Sequence, residues 1–169
     1  NQAHQYIVDN VETYYYRIHN NSGYNEFNTT IQTDSGGNGM SIICAAAKLE
    51  NRKIYISGCG ADEIFSDYGF NGHKIYPHSN FGGLFPEDLT SIFPWNSFYE
   101  SSMVSYIAKE EYVAGSYGIE TRYPFLDKDV VQEFLWLTCD LKNSEYKSVL
   151  DNYLKQTNYP YVKTQKIGF

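Results

Sequence analysis

The chain has no apolar run long enough to cross a bilayer and no recognisable signal peptide, so we expect no membrane span. Basic residues are scarce: 13 lysines and arginines stand against 20 aspartates and glutamates, which gives a net charge of −7 and a pI near 5.0. No basic stripe offsets this acidity, which disfavours nucleic acid and anionic membranes as partners. Because the sequence begins at Asn1 rather than at a methionine, an upstream segment and a targeting signal stay open.

Cysteine is also rare. The three cysteines, Cys44, Cys59 and Cys139, are odd in number and widely spaced. Their spacing fits neither a zinc-binding pattern nor an obvious disulfide framework. We therefore expect a reducing, cytoplasmic compartment.

What the chain does contain is enough apolar material for one packed domain, with 42% hydrophobic and 17% aromatic residues among 169. Neither an internal repeat nor a linker is visible, so residues 1–169 are interpreted as a single domain. One strand region followed by several helices predicts the second half of an α/β domain with a helical cover.

Apolar periodicity predicts several elements around the central motif. Helices are expected over His4–Ile18 and Asn96–Tyr117, after Asp127 and from about Ser144, and a short strand over Thr29–Ile31. Gly118 is expected to end its helix in a left-handed conformation, and Asp127 to cap the next helix. The pair Glu110 and Glu111 is interpreted as a solvated helix face, and Phe70–Pro86 as a long loop.

The most informative stretch is Lys53–Gly69, KIYISGCGADEIFSDYG. Ile54–Ile56 suits a buried strand, Ser57–Gly60 is a turn with two glycines, and Asp62 and Glu63 open a helix. This geometry binds phosphate in α/β sheets, because glycines let backbone N–H groups approach an anion at a helix N-terminus. Two carboxylates there would repel a phosphate unless a cation intervenes, so one hypothesis is Mg²⁺ held by Asp62. The alternative is that both acids only stabilise the helix N-terminus.

Three motifs resemble the synthetase domain of asparagine synthetases and their relatives, which include β-lactam synthetase. The stretch from Ser57 is similar to S-G-E-G-[SA]-D-E-x-F-G-G-Y, the stretch from Gly118 to G-[VI]-E-x-R-x-P-F-L-D, and the stretch from Lys166 to K-x-G-F. The motifs follow the family's order, and the resemblance covers roughly Thr29 to Phe169. It implies a Rossmann-like parallel sheet of the adenine nucleotide alpha hydrolase type, of which this chain is the helix-rich C-terminal part.

The resemblance implies an ATP-dependent ligase that forms amides, as in asparagine biosynthesis. Aspartate or a related acid attacks the α-phosphate, Mg-pyrophosphate leaves, and an amine displaces AMP from the acyl-adenylate. The implied partners are ATP, Mg²⁺, a small carboxylic acid, and ammonia or glutamine through a glutaminase domain outside this chain. A homodimer is a further expectation.

The resemblance also assigns residues to the nucleotide. Ser57, Gly58 and Gly60 match positions that line the ATP site, and Asp62 matches the aspartate associated with Mg-pyrophosphate. Lys166 matches the lysine thought to stabilise the adenylation transition state, a role that suits a compact and mobile positive charge.

Other matches point to the substrate. Glu120 matches a glutamate near the substrate pocket, where it would act as a general base or proton relay. Arg122 either contacts phosphate or ties down the Pro-Phe-Leu-Asp turn. Cys59 replaces the glutamate usual in asparagine-forming members, so a catalytic role for the thiol, a different substrate, or lost activity all stay open. Lys147 is only close to another basic position of the family.

The segment Thr33–Ser41, TDSGGNGMS, is superficially similar to the family's S-G-G-x-D-S pyrophosphate loop. Gly39 and Met40 stand where aspartate and serine are expected, so we interpret Asp34 or Ser35 as a helix cap instead. The pyrophosphate loop is then upstream or absent. Two alternative functions follow: a degenerate relative kept as a binding or structural subunit, and an ATP-sensing module.

Overall fold

The described part of the chain is a helix-rich α/β arrangement with two short sheets. The computed structural model describes the backbone of residues 15–18 and 27–30, and residues 34–66, 81, 83–100 and 102–162. The strands are β1 (Tyr15–Ile18), β2 (Phe27–Thr30), β3 (Ile54–Ile56) and β4 (Glu120–Arg122). The helices are α1 (Ser35–Leu49), α2 (Asn96–Tyr99), α3 (Ser102–Ser116), α4 (Lys128–Trp136), α5 (Cys139–Asn143) and α6 (Ser148–Gln156). A π-helical turn covers Ala61–Ser66, and 3-10 turns cover Leu89–Ser91 and Pro124–Leu126. Within these described ranges, no helix has the length and apolar character needed to cross a bilayer.

β1 and β2 form an antiparallel pair, with Tyr15 opposite Thr30. The predicted helix over His4–Ile18 is therefore wrong for its last four residues, which form β1, and its earlier part lies outside the described residues. Aromatic and β-branched residues suit a strand as well as a helix, and pairing with β2 decides between them. The strand predicted over Thr29–Ile31 overlaps β2, and the predicted loop over Phe70–Pro86 lies mostly outside the described residues.

α1 begins where the sequence predicted a capped helix. The Asp34 carboxylate accepts a hydrogen bond from the Gly37 N–H at 2.9 Å, which satisfies a free donor of the first turn. Met40 and Cys44 face inward and form the first core cluster with Val113, Ala114, Tyr117 and Ile119. The first core cluster therefore joins α1 to α3 and to the segment that leads into β4.

β3 and β4 form a parallel pair, with Tyr55 opposite Thr121. Alternation along the strand turns Tyr55 toward the first core cluster, whereas Ile54 and Ile56 are 58% and 70% exposed. The predicted strand is confirmed, but the expectation that it is buried holds on one face only. Parallel sheets normally have both faces covered, and the described residues cover only one face of this one.

A second core cluster joins the π-helical turn to α2, α3 and α4. Its buried members are Ile64, Phe65, Phe85, Trp95, Phe98, Met103 and Phe134. The helix predicted over Asn96–Tyr117 is divided here, because Glu100 has an extended backbone (φ −129°, ψ −166°) between α2 and α3. On one continuous helix, Phe98 and Met103 would point about 140° apart. The break allows both side chains to enter the same core.

The C-terminal half follows the predicted capping signals but not the predicted helix lengths. Gly118 has a φ of 73°, and the Asp127 carboxylate accepts hydrogen bonds from two N–H groups of the first turn of α4. The helix predicted from about Ser144 is α6, which begins four residues later at Ser148, and the short helix α5 before it was not predicted. Lys147 precedes α6 with a left-handed backbone (φ 55°, ψ 36°), which turns the chain between the two helices.

Candidate functional site

The glycine turn after β3 and the Pro-Phe-Leu-Asp motif after β4 pack directly on each other. Gly60 has a φ of 99°, which residues with a side chain rarely adopt. A Cβ atom added to Gly60 would lie 2.4 Å from Cδ2 of Leu126 and 3.3 Å from Cβ of Phe125. Both the backbone and the packing therefore require glycine here. A Cβ atom added to Gly58 would meet no atom of the described residues within 4 Å, so these residues leave that side of the turn open.

Several N–H groups of this turn are bonded within the protein. The Gly60 N–H donates to Oε2 of Glu63 at 2.9 Å. The Cys59 N–H donates to Oγ of Ser57 at 3.0 Å, and the Ser57 N–H donates to the Arg122 carbonyl at 2.9 Å. The sequence predicted that N–H groups of the turn would face a phosphate. These three N–H groups instead donate to acceptors within the protein, and their hydrogen bonds stabilise the conformation of the turn.

Glu63 connects the turn to the second core cluster through hydrogen bonds. Its carboxylate and the Gly60 N–H form one half of a capping box. Its backbone carbonyl accepts hydrogen bonds from Nε1 of Trp95 at 2.7 Å and from Oγ of Ser97 at 3.1 Å. Glu63 is 4% exposed, whereas the side chain of the neighbouring Asp62 is 25% exposed. The two adjacent acids therefore have different surroundings, and Asp62 is the one available to a ligand.

Asp62 is paired with Lys147. The Lys147 Nζ lies 2.5 Å from Oδ1 of Asp62, and the lysine side chain is 31% exposed. Burial lowers the pKa of Lys147, but the charge of Asp62 and the hydrogen bond to it outweigh burial and raise that pKa above its ordinary value. Lys147 is therefore charged at neutral pH. No local sequence signal identifies this pairing, since it depends on how α6 packs against the π-helical turn.

The surroundings of Asp62 suit one mode of Mg²⁺ binding, in which a single carboxylate shares the ion with substrate phosphates and water. The Ser66 hydroxyl donates to Oδ1 of Asp62 at 3.2 Å and helps to orient the carboxylate. Across the residues whose positions the structure describes, no group of three or more histidines, cysteines, aspartates or glutamates could hold a metal ion alone. Phosphate oxygens would have to complete the coordination at Asp62.

Glu120 and Arg122 are paired with each other. Nη1 of Arg122 lies 2.5 Å from Oε1 of Glu120, and their side chains are 54% and 61% exposed. Glu120 lies opposite Ile54 and Arg122 lies opposite Ile56, on the face of the sheet that points away from the first core cluster. Arg122 contacts the glycine turn through its carbonyl, which accepts a hydrogen bond from the Ser57 N–H. The roles of Glu120 at a substrate pocket and of Arg122 at a phosphate stay predictions.

Cys59 is a neutral thiol in the turn. Burial and the nearby Glu63 and Glu110 carboxylates raise the pKa of Cys59 far above that of a free thiol. The Gly60 N–H and the Lys109 ammonium oppose this effect only in part. A thiolate nucleophile is therefore disfavoured at neutral pH. The catalytic role suggested by the position of Cys59 stays a prediction, and it has to work with a protonated sulfur.

Glu110 and Glu111 point in different directions, although the sequence indicated one solvated face. Glu111 accepts a hydrogen bond from the Tyr123 hydroxyl at 2.8 Å near the surface. Oε2 of Glu110 is buried and has no hydrogen-bond partner among the described residues. Burial raises the pKa of Glu110, while the Ser57 hydroxyl and Lys109 offset part of that rise. One step along a helix turns a side chain by about 100°, which is enough to separate the two acids.

Lys166 lies outside the described residues, so its position at the site stays a prediction. The described chain that precedes it is bonded to helix α6. The Tyr161 hydroxyl donates to Oδ1 of Asp151 at 2.5 Å, and the Asp151 N–H donates to the Lys147 carbonyl at 2.8 Å. Tyr161 is therefore bonded to a residue that lies one helical turn after Lys147.

The described residues form a helix-rich α/β protein with a glycine turn and an acid–lysine pair. Comparison with known proteins indicates a distant relation to the asparagine synthetase family. The chain is similar to the "Putative asparagine synthetase (glutamine-hydrolyzing) 1" of Methanocaldococcus jannaschii, with 30% identity over 111 residues. The match covers 64% of this chain and 19% of that protein, so the chain spans about a fifth of its relative's length. No family model and no solved structure matches the chain.

Proposed function

We propose that this chain is part of an ATP-dependent, amide-forming ligase of the asparagine synthetase type. The observation that carries the proposal is the Asp62–Lys147 pair beside the glycine turn. A partly exposed carboxylate can share Mg²⁺ with phosphate oxygens, and a charged lysine beside it can bind the same oxygens directly. The distant relation to a protein named as an asparagine synthetase supports this reading.

Asp62, Lys147 and Lys166 would each have a separate role in adenylation. Asp62 would hold the Mg²⁺ that neutralises the leaving pyrophosphate. Lys147 would exchange its bond to Asp62 for charge-assisted bonds to phosphate oxygens. Lys166 would stabilise the charge that develops at the α-phosphate as the substrate carboxylate attacks. The proposal requires Lys166 to reach Asp62 from Tyr161 over a segment that spans at most about 17 Å when extended.

The turn itself would shape the nucleotide site. Gly58, on the open side, leaves room for the nucleotide, whereas Gly60 and Ser57 keep the turn in one conformation. Arg122 would support Ser57 through its backbone carbonyl. Glu120 would act as a general base only for a substrate that binds on the outer face of the sheet.

We also propose that β3 and β4 form the end of a larger Rossmann-like parallel sheet. The exposed Ile54 and Ile56 form an apolar face of the kind that parallel sheets normally bury. Residues 1–169 would then be the C-terminal portion of a synthetase domain. A pyrophosphate loop and a glutaminase that supplies ammonia would belong to other parts of the protein.

A second candidate is a catalytically degenerate relative that binds nucleotide as a subunit. Two observations favour it. Cys59 is a neutral thiol where asparagine-forming relatives carry a carboxylate. The Cys59 and Gly60 N–H groups are bonded within the turn rather than free for an anion.

Pyrophosphate release from ATP separates the two candidates. The purified full-length protein is incubated with ATP, Mg²⁺ and aspartate, and then with a panel of other carboxylic acids, with and without ammonium. For a ligase we expect pyrophosphate and AMP in equal amounts, and a loss of about 10²-fold or more in Asp62→Asn and Lys147→Gln. The exposed Lys128→Gln is the matched control and should retain activity. ATP binding without turnover supports the subunit, and the absence of both contradicts both candidates.

A further inference from the structure

An apolar cavity of about 710 Å³ lies between helices α3 and α4. Met103, Val104 and Ile107 line it from α3, and Val131 and Leu135 line it from α4. Residues three or four positions apart share one face of a helix, so each helix presents one stripe to the cavity. Small-molecule sites in proteins have volumes of about 300–1,000 Å³, so this cavity has the size of a site for a drug-sized molecule.

The inner wall of the cavity belongs to the second core cluster. Ile64, Phe98 and Met103 line the cavity and are buried members of that cluster. The Phe98 ring contacts the Phe93 ring edge to face, with the ring centroids 5.0 Å apart, and both rings line the cavity. Because these side chains pack against one another, the wall has a fixed shape. Aromatic edges and faces on this wall favour a ligand that itself contains an aromatic ring.

Large apolar side chains are exposed where the cavity opens to solvent. Phe93 is 41% exposed, Val104 is 48% exposed and Tyr99 is 65% exposed, although all three line the cavity. Single exposed apolar residues are common on protein surfaces, but several around one concave surface are typical of a binding site. An apolar occupant would remove their surface from water, which is the main driving force for binding of this kind.

The opening of the cavity has no net positive charge. Lys128 is the only charged residue among the described residues that line the cavity. It forms an ion pair with Asp129, and Asp127 precedes it in the chain. Gln132, one turn further along α4, adds an uncharged amide. A charged ligand would lose water on entry, and the described lining residues offer it no unpaired opposite charge, so the site favours an uncharged molecule.

We propose that the cavity between α3 and α4 is a binding site for an uncharged, largely apolar small molecule that contains an aromatic ring. Its ring system would lie against Phe93 and Phe98, and its polar atoms would face Gln132 and the solvent. Asp62 does not line this cavity, so the site is separate from the proposed nucleotide site and does not depend on the ligase function. A segment of the protein outside the described residues is the alternative occupant, and it would exclude the ligand.

The cavity also touches the glycine turn. Leu126 lines the cavity and lies against Gly60, and Ile64 lines it from the π-helical turn. The Ile64 N–H donates to the Gly60 carbonyl at 2.9 Å. A ligand in the cavity would therefore contact both neighbours of Gly60 and stabilise this hydrogen bond. Binding should slow hydrogen exchange at the Ile64 amide, because exchange requires the bond to open.

Two fluorescent probes with the same ring system test the site. Phenylnaphthylamine is uncharged, whereas anilinonaphthalene sulfonate carries a negative charge on the same rings. Both probes fluoresce more strongly in apolar surroundings, and both are titrated into the full-length protein. We expect saturable binding of phenylnaphthylamine, and binding of the sulfonate that is weaker by at least about tenfold.

Substitutions at the cavity locate the bound probe. Val104→Glu places a carboxylate at the cavity and should weaken the binding of phenylnaphthylamine by about tenfold or more. Val130→Glu is the matched control and should bind the probe as the wild type does, because Val130 is 45% exposed on α4 and does not line the cavity. Gln132→Trp, which fills the opening from an exposed position, should also weaken binding, with the exposed Glu133→Trp as its control. Urea unfolding checks that each variant is folded.

Three results would overturn the inference. The first is the absence of saturable binding, which would indicate that another part of the full-length protein fills the cavity. The second is binding of the sulfonate as tight as that of the uncharged probe. The third is binding that does not distinguish folded Val104→Glu and Gln132→Trp from their controls.

Hydrogen exchange gives an independent check of the location. Phenylnaphthylamine should protect the Ile64 amide in wild type and in Val130→Glu, but not in Val104→Glu. Protection confined to other segments would contradict the site. None of these measurements uses ATP, so a failure of the ligase proposal leaves them unaffected.

Discussion

Cδ2 of Leu126 occupies the space that a side chain on Gly60 would fill, 2.4 Å from the position of that missing Cβ atom. The contact joins the turn after β3 to the turn after β4, whose strands are paired in parallel. It therefore sets the position of the chain immediately before Asp62. The geometry at Asp62 thus depends on a segment far along the sequence as well as on its own motif.

Gly60→Ala should destabilise the protein by about 1–3 kcal/mol, because it adds a clash with Leu126 to a backbone conformation that alanine tolerates poorly. Gly58→Ala is the matched control and should stay within about 0.5 kcal/mol of wild type, since its new Cβ meets no neighbour. Urea unfolding measures both values. The double variant Gly60→Ala/Leu126→Ala should recover the steric part of the loss but not the backbone part. Equal stability of the two glycine variants would contradict this account of the turn.

Lys147→Gln should affect activity far more than stability. The Asp62–Lys147 pair is only about one-quarter to one-third exposed, so removing the lysine should cost about 1–2 kcal/mol in urea unfolding. In the proposed ligase, pyrophosphate release should fall by about 10²-fold, because a charge at the leaving group is lost. Full activity in Lys147→Gln, at unchanged stability, would remove this residue from the nucleotide site.

Cys59 should react slowly with iodoacetamide at neutral pH. Burial and the Glu63 and Glu110 carboxylates raise the pKa of its thiol, and only the thiolate is alkylated efficiently. We expect labelling at pH 7.5 to be about tenfold or more slower than that of a free cysteine peptide, and to accelerate at alkaline pH. Glu110→Gln should speed the reaction by removing one of the nearby charges. Peptide mass spectrometry measures these rates, and rapid neutral labelling would argue for an activated thiolate instead.

The free energy of unfolding should depend on pH in a way that reflects the buried Glu110 carboxyl. Its pKa in the folded state is raised above the unfolded value of about 4.5 by burial, with partial relief from Ser57 and Lys109. An acid whose pKa is raised on folding contributes stability that is fully present below its pKa in the unfolded state. This contribution is lost as the pH rises through its pKa in the folded state. Glu110→Gln should therefore gain stability relative to wild type between pH 4 and pH 7. Urea unfolding at pH 4 and at pH 7 measures the difference in the free energy of unfolding between Glu110→Gln and wild type. A difference that shrinks as the pH rises would show that the pKa of Glu110 is not raised in the folded protein.

The local signals in the sequence were reliable wherever a single turn of chain satisfies them. Asp34 and Asp127 cap their helices, and Gly118 adopts a left-handed conformation, because each depends on groups within a few residues. The strand at Ile54–Ile56 and the glycine turn after it were predictable for the same reason. Three motifs and their order also indicated the distant family relation that comparison supports.

Tertiary packing decided the rest. Glu100 breaks a predicted helix so that the side chains on both sides of the break enter one core, and Tyr15–Ile18 becomes a strand because β2 pairs with it. The Asp62–Lys147 pair and the inward position of Glu110 are likewise set by how helices pack on the turn. Periodicity identifies the faces of a helix, but only the packed neighbours determine which face meets a charge, because charge pairing acts through space rather than along the chain.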